Sequence, residues 1–298
     1  MNVGIIGLGK MGYNLALNMK EHGYKVIAFN RSTQKIKKAE KDGLTGAYCI
    51  QELVGKLEGR KIIWLMVSEG KPVDDLIDEL LPLLNEHDII IDGGNSHYKD
   101  TVRRYEKIKL KGIDFVDVGT SGGIEGARYG ACTMIGAEDE VFNYVESLIK
   151  DISVENGYLH IGKSGSGHFV KMIQNAIAYG MLESIGEGFE ILEKSQFDLD
   201  YNKIARLFNY GSVTRGWLMK LMEDAFKKDP KLDLIKGIVH SSGEGLWAVQ
   251  EALDLKISVP VIAESLFTRY RSEKEDTFSG KVVAALRNEV GGHYTEKK

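Results

Sequence analysis

In the stretch GSGHFVKMIQNAIAYG, residues 165–180, one lysine stands inside a largely apolar helical run. Lys171 is followed at helical spacing by Asn175, Ala178 and Tyr179, so an amide and a phenol lie along its stripe. An ammonium sheltered by neighbours such as Phe169 and Met172 loses solvation, and its pKa falls below ~10.4. Such a lysine can take up a proton and hand it back. The plain alternative is a surface lysine on a core helix, and taken alone the run favours it. The decision rests on the other chemistry-bearing stretches of the chain.

GLGKMG, residues 7–12, is one of them; it follows a β-rich run and opens a helical pattern. Gly7 permits a tight turn, Gly9 lets the backbone approach a pyrophosphate, and Gly12 allows close packing of helix on strand. With Leu8, Lys10 and Met11 between them, these residues read as a dinucleotide loop, the helix N-terminus adding amide donors. The next β-rich run ends at Asn30-Arg31-Ser32, where readers of NAD normally carry an Asp or Glu for the ribose 2′-hydroxyl. A guanidinium flanked by two small polar residues suits a 2′-phosphate, so NADP is expected over NAD. The other reading has Arg31 stacking on adenine and tolerating both cofactors. Further on, DGGNS (92–96) ends a strand with Asn95, and DVGTSGG (117–123) places Ser121, Gly122 and Gly123 after another. Strand C-termini of an open sheet are where ligands bind.

The elements that must carry these residues follow from the apolar patterning. The runs 3–7, 25–30, 61–67, 88–94, 114–119, 132–136 and 158–162 read as strands, most of them apolar on both faces and alternating with helical patterns. That predicts an α/β fold with a doubly wound, mainly parallel sheet. Beyond residue 163 the apolar period is helical, over 168–195, 201–228, 232–255, 259–272 and 276–290, with SEGKP and KDPKLD as loops. The expected organisation is a Rossmann-type dinucleotide-binding domain at 1–163 and a smaller all-helical domain for substrate and dimerisation at 164–298. A helical unit entered through so long a helix is expected to bury an apolar face against a second subunit, giving a homodimer or a dimer of dimers.

Composition sets the outer bounds. The 298 residues are 43% hydrophobic and 28% charged with a net charge of −4, which gives no basic footprint for nucleic acid. The two cysteines, Cys49 and Cys132, are too few for a disulfide framework and wrongly spaced for a metal. No charged leader precedes the first strand and no apolar run reaches the ~18 residues a membrane span needs. A cytoplasmic protein without membrane or metal partners is expected.

Together these segments resemble the β-hydroxyacid dehydrogenases, and within them the 6-phosphogluconate dehydrogenase family of the short-chain type. The resemblance covers almost the whole chain, through DGGNSHY, GHFVKM, YGSVTRGWL, SGEGLW, LFTRYRS and ALRNEVGGH. It implies oxidative decarboxylation of a phosphorylated sugar acid with hydride transfer to NADP or NAD. It further implies that Met66, Val67 and Ser68 lie beside the nucleotide, with Asn30, Arg31 and Ser32 near its 2′ end, and that Asn95, Ser121, Gly122 and Gly123 line the sugar-acid site. Lys171 becomes base and then acid at the reacting carbons, with Asn175 beside it. Tyr179, Arg269 and Arg287 match positions that hold the substrate phosphate, and Arg287 and His293 belong to a segment that in the family reaches the neighbouring subunit. His160, His168 and His240 read as structural.

The chain departs from the family at one place. The family run KMVHNGIEYG is here KMIQNAIAYG, so Ala178 stands where a glutamate protonates C1 of the enediol, and Gln174 replaces a histidine. Three readings stay open. Glu183, Glu244 or a water supplies the proton; or another anionic hydroxy acid is oxidised without that step; or the chain binds its ligands without turning them over.

Overall fold

The structure, a computed structural model, describes residues 1–274 and 276–297. It divides into two units, Met1–Lys171 and Met172–Lys298. In the first, one sheet contains β1 (Asn2–Ile6), β2 (Lys25–Phe29), β3 (Thr45–Ala47), β4 (Ile62–Leu65), β5 (Ile89–Asp92), β6 (Asp114–Ser121), β7 (Ala131–Gly136) and β8 (Ser153–Gly162). The strand order is β3-β2-β1-β4-β5-β6-β7-β8, and only the β6–β7 pair is antiparallel.

Runs such as IIWL and IIID are buried at every residue, as a parallel sheet covered on both faces requires. The covering helices are α1 (Lys10–Glu21), α2 (Thr33–Lys41), α3 (Ile50–Gly55), α4 (Lys71–Leu80), α5 (Tyr98–Lys109), α6 (Gly123–Tyr129) and α7 (Asp139–Asp151). One core layer joins the sheet to α1, α6 and α7 through Leu15, Ala16, Ala127 and Val145. The other joins it to α3, α4 and α5 through Leu53, Ile77 and Ile108. The strand order reverses between β1 and β4, whose ends Ile6 and Leu65 are in register. That reversal is where a doubly wound sheet opens a crevice.

Helix α8 (Ser166–Lys194) begins in the first unit and continues into the second. There it is joined by α9 (Tyr201–Asn209), α10 (Trp217–Lys228), α11 (Gly243–Asp254), α12 (Pro260–Ser272) and α13 (Phe278–Gly291). Their core gathers Phe189, Tyr201, Met222, Phe226, Val282 and Leu286.

Four local features differ from the sequence expectation. β3 was not foreseen, being a three-residue strand TGA without a β-branched run. The pattern 201–228 is broken at 210–216, where Gly211 has φ 78° and the Asn209 side chain accepts the Gly216 amide. Residues 232–242 are irregular although apolar. Leu232 has φ 51°, the Gly237 amide is held by the Asp276 carboxylate at 2.6 Å, and Gly237 lies flat on the first turn of α13. Apolar spacing cannot distinguish a helix from a segment pinned along another helix. The loop SEGKP ends at Gly70, since Lys71 and Pro72 already open α4, where a proline is tolerated.

Candidate active site

At the C-terminal end of β1, Gly7 turns with φ 106°, and a Cβ there would lie 2.3 Å from the Met66 carbonyl oxygen. Gly12 packs the helix back onto the turn, a Cβ on it falling 2.1 Å from the Gly7 oxygen. Gly9 differs from both. It is the N-cap of α1, no side chain caps it, and a Cβ added to it would meet no protein atom within 4 Å. Packing therefore accounts for Gly7 and Gly12, while the open side of Gly9 suits close approach of a phosphate to the helix N-terminus. Leu8 is buried, Met11 half-buried and Lys10 exposed.

Asn30 directly follows β2 and is half-buried. Its side-chain oxygen accepts the Leu8 amide at 3.0 Å and so holds the glycine turn from the next strand. Arg31 and Ser32 are exposed beside it, Ser32 at the N-cap of α2 without a side-chain capping bond. Met66 continues β4, its amide bonded to the Ile6 carbonyl at 2.8 Å; Met66 and Val67 are half-buried and Ser68 exposed.

Along the same edge, the loop after β5 carries Asn95, exposed, between a half-buried Gly94 and a buried Ser96. The end of β6 presents Ser121, then Gly122 with φ 110° as N-cap of α6, then Gly123, all half-buried. Lys171 belongs here. It is 8% exposed, and a Cβ on Gly119 of β6 would lie 2.4 Å from the Lys171 Cβ. Glycine at 119 is what lets the lysine lie on the strand two residues before Ser121.

The start of α8 is fixed by Asp117, which is fully buried. Its carboxylate accepts the amides of Gly165 at 2.6 Å and His168 at 2.8 Å and the Ser164 hydroxyl at 3.2 Å. Burial pushes the Asp117 carboxyl up, and His168 and the two amides only partly oppose it. The buried His168 bonds Thr101 of α5 through Nδ1 at 2.8 Å. His160 stacks on Phe142 and faces the Ala137 carbonyl at 3.0 Å. His240, 55% exposed, lies beside Glu273 and Glu296.

In the helical unit, Asn175 donates to the Glu244 carboxylate at 3.0 Å. Tyr179 offers its ring face to Arg269, whose guanidinium carbon sits 3.5 Å from the ring centroid, and its hydroxyl lies 3.1 Å from Ser242. Arg269 is 1% exposed, and among the described residues none of its three guanidinium nitrogens has a hydrogen-bond partner. Arg287 donates to the His240 carbonyl at 2.7 Å. Burial, then the neighbouring Arg269, pulls the Arg287 guanidinium down to about 10. A buried and a half-buried cation repelling each other is an arrangement that a doubly charged anion relieves. His293 is exposed, its carbonyl accepting from Asn288 at 2.7 Å.

Glu183, buried nearby, has its carboxyl raised to about 7 by burial first and Glu187 second, against the pull of Arg269 and Arg271. Ala178 and Gln174 are half-buried on α8. The sequence reading did not find Asp117 or the buried Arg104 beneath the Asn95 loop. An acid or a base inside an otherwise ordinary strand or helix is the signal each left. No helix of the described residues is long and apolar enough to cross a membrane.

Comparison with known proteins gives the following. Residues 2–162 match the family model described as the NAD binding domain of 6-phosphogluconate dehydrogenase, and residues 167–289 match its C-terminal domain. YqeC of Bacillus subtilis, provisionally named a 6-phosphogluconate dehydrogenase, is 54% identical over 298 residues, all of both chains. The NAD(+)-dependent, decarboxylating 6-phosphogluconate dehydrogenase of Haloferax volcanii is 37% identical over 300 residues, covering 100% of this chain and 99% of that one. Among solved structures, Plasmodium falciparum 6-phosphogluconate dehydrogenase, studied in apo form and with NADP+ and 6-phosphogluconate, superposes with a TM-score of 0.82. It is 30% identical, with 91% of this chain and 62% of that chain covered.

Proposed function

Because this chain belongs to the 6-phosphogluconate dehydrogenase family, and is an oxidoreductase with a nicotinamide dinucleotide cofactor, we propose that it oxidises 6-phosphogluconate and releases CO₂, forming a pentulose 5-phosphate. The observation that carries the phosphorylated substrate is Arg269, buried against Tyr179 without a hydrogen-bond partner among the described residues and accompanied by Arg287. A guanidinium in that state is stabilised by a phosphate, whose oxygens match its fork.

A nicotinamide dinucleotide held by the GLGKMG turn would supply the acceptor for the hydride that leaves C3. The residues of the chain manage the protons. Lys171, shielded on β6, takes the 3-hydroxyl proton and then donates it to the new ketone oxygen, drawing electrons from the neighbouring carboxylate as CO₂ departs. Asn95, Ser121, Gly122 and Gly123 line the acid, Asn175 orients it, and Tyr179, Arg269 and Arg287 hold the phosphate, with His293 in the same tail. Gly7, Leu8, Gly9, Lys10, Met11 and Gly12 hold the pyrophosphate, with Met66, Val67 and Ser68 beside it. Arg31 and Ser32, exposed where no carboxylate stands, support NADP over NAD.

The test is direct. Purified protein given 6-phosphogluconate should reduce NADP and release one CO₂ per nicotinamide reduced. Ala178 favours a second reading, in which an anionic hydroxy acid is oxidised with its carboxylate kept; reduction without CO₂ would establish it. Tight binding of both ligands without any reduction would leave a non-catalytic homologue. Ala178→Glu separates these further, since the decarboxylating enzyme should turn over faster with its second acid restored, by up to ~10²-fold.

The apolar groove of about 720 Å³ between α8 and its neighbours, with Ile177 and Met181 more than half exposed along it, supports a homodimer or a dimer of dimers. Sedimentation velocity of the parent and of Met181→Glu checks it. The exposed free thiols of Cys49 and Cys132 fit a reducing cytoplasm.

A further inference from the structure

Arg104 is a large cation, 1% exposed, inside α5. Each arm of its fork goes to a different piece of the sheet edge. Nε donates to Asp74 in the first turn of α4 at 2.8 Å, and Nη2 donates to the Gly70 carbonyl at 3.0 Å. Nη1 donates to the Ser96 hydroxyl at 3.2 Å and lies 3.6 Å from the fully buried Asp92. Ser96 in turn donates to Asp92 at 2.7 Å, and Asp92 accepts the Gly94 amide at 3.1 Å.

Two loops therefore share one guanidinium. The first runs from Met66 to Gly70 after β4, the second from Gly93 to His97 after β5. They also touch: a Cβ on Gly94 would come within 3.0 Å of the Val67 carbonyl oxygen. Asn95, exposed between them, is bracketed by Gly94 on Val67 and Ser96 on Arg104. Asp74 is drawn into the same arrangement. Burial would raise its carboxyl, but hydrogen bonds from Arg104 and Arg103 outweigh burial and hold it below its ordinary value. Burying so large a cation is costly unless every arm is paired, and here each arm is.

We propose that Arg104 is a positioning residue that fixes the nucleotide-side loop 66–70 and Asn95 as one rigid edge, so that nucleotide and sugar acid meet loops set by the same side chain. This rests on the reading of Asn95 and Met66-Val67-Ser68 given above. A lysine cannot reproduce it, because one ammonium on a flexible stem reaches one of the three directions that the planar fork serves.

The experiment uses the full chain and compares the parent with Arg104→Lys, Asp74→Asn and Ser96→Ala. It reads the dissociation constant for NADP by titration calorimetry, the melting temperature, and kcat and KM for 6-phosphogluconate. Arg104→Lys is expected to weaken NADP binding and lower kcat, each by ~10-fold, the ordinary cost of a charge-assisted hydrogen bond. Asp74→Asn and Ser96→Ala, each cutting one arm of the fork, are expected to shift the same two quantities in the same direction by a smaller factor. They carry the test if Arg104→Lys does not fold. A lower melting temperature with NADP binding and kcat like the parent in all the folded variants would overturn the proposal and leave Arg104 a packing residue. If the parent itself does not oxidise 6-phosphogluconate, the substrate reading fails alone, and NADP binding still decides the role of Arg104.

Discussion

The two units treat buried charge in opposite ways. In the sheet unit, Asp117 and Arg104 are sunk as deeply as any side chain, yet each is fully engaged, Asp117 by two amides and a hydroxyl, Arg104 by a carboxylate, a hydroxyl and a carbonyl. In the helical unit, Arg269 is buried as deeply with no hydrogen bond among the described residues; it rests on an aromatic face, with a second guanidinium near enough to repel it. Paired buried charge holds a framework in place; unpaired buried charge is tolerated where an outside ion completes it. The sheet unit thus offers backbone and small residues on a fixed edge, and the helical unit offers charge.

The largest effect should come from the lysine lying on β6. Lys171→Met is expected to cut kcat by ~10²–10⁴-fold, the range for loss of general acid–base help, with NADP affinity unchanged by fluorescence titration. A variant that kept its turnover would remove the proton shuttle from the account. Next comes the charge of the helical unit. Arg269→Lys should raise KM for 6-phosphogluconate by ~10–100-fold, as loss of a forked charge-assisted contact implies, and leave NADP affinity alone. Equal loss of both affinities would erase the contrast drawn here.

Within the sheet unit the glycines can be told apart. Gly9→Ala meets no protein atom, so its melting temperature should match the parent while NADP binding weakens by ~10-fold. Gly12→Ala, driven into the Gly7 carbonyl, should instead lower the melting temperature.

The smallest effect concerns Glu183, held near pKa 7 by burial. A carboxyl raised above its unfolded value of 4.5 keeps its proton longer in the folded chain, so stability falls as pH rises from 4.5 to 7 and the loss is complete above 7. Glu183→Gln should therefore be more stable than the parent at pH 8, by on the order of 1 kcal/mol, with the difference closing toward pH 4.5. Thermal melts at the two pH values measure it.

Much of the sheet was legible from the chain. Short apolar runs such as IIWL in KIIWLMV and III in DIIIDGG read as strands buried on both faces, and GLGKMG between a strand and a helix has few other meanings. Asn30 was legible only in part. Its place at the end of β2 was clear, but its bond to the Leu8 amide joins residues 22 apart and belongs to the strand pairing. The irregular stretch 232–242 was read as helix because its apolar residues are spaced for one; the carboxylate of Asp276 and the first turn of α13 decided otherwise.

By itself the sequence determined which residues can do chemistry and the order in which strands and helices deliver them, because side-chain type and apolar period are local properties. It determined as well that a lysine, an amide and a phenol share one stripe of a helix. Only the tertiary structure decided that Lys171 lies on Gly119, that Asp117 ties down the helix bearing it, and that Arg269 is buried on the ring of Tyr179. Each of these joins residues about 50 to 90 apart in the chain, and burial and pairing at such separations arise from packing, which no local spacing encodes.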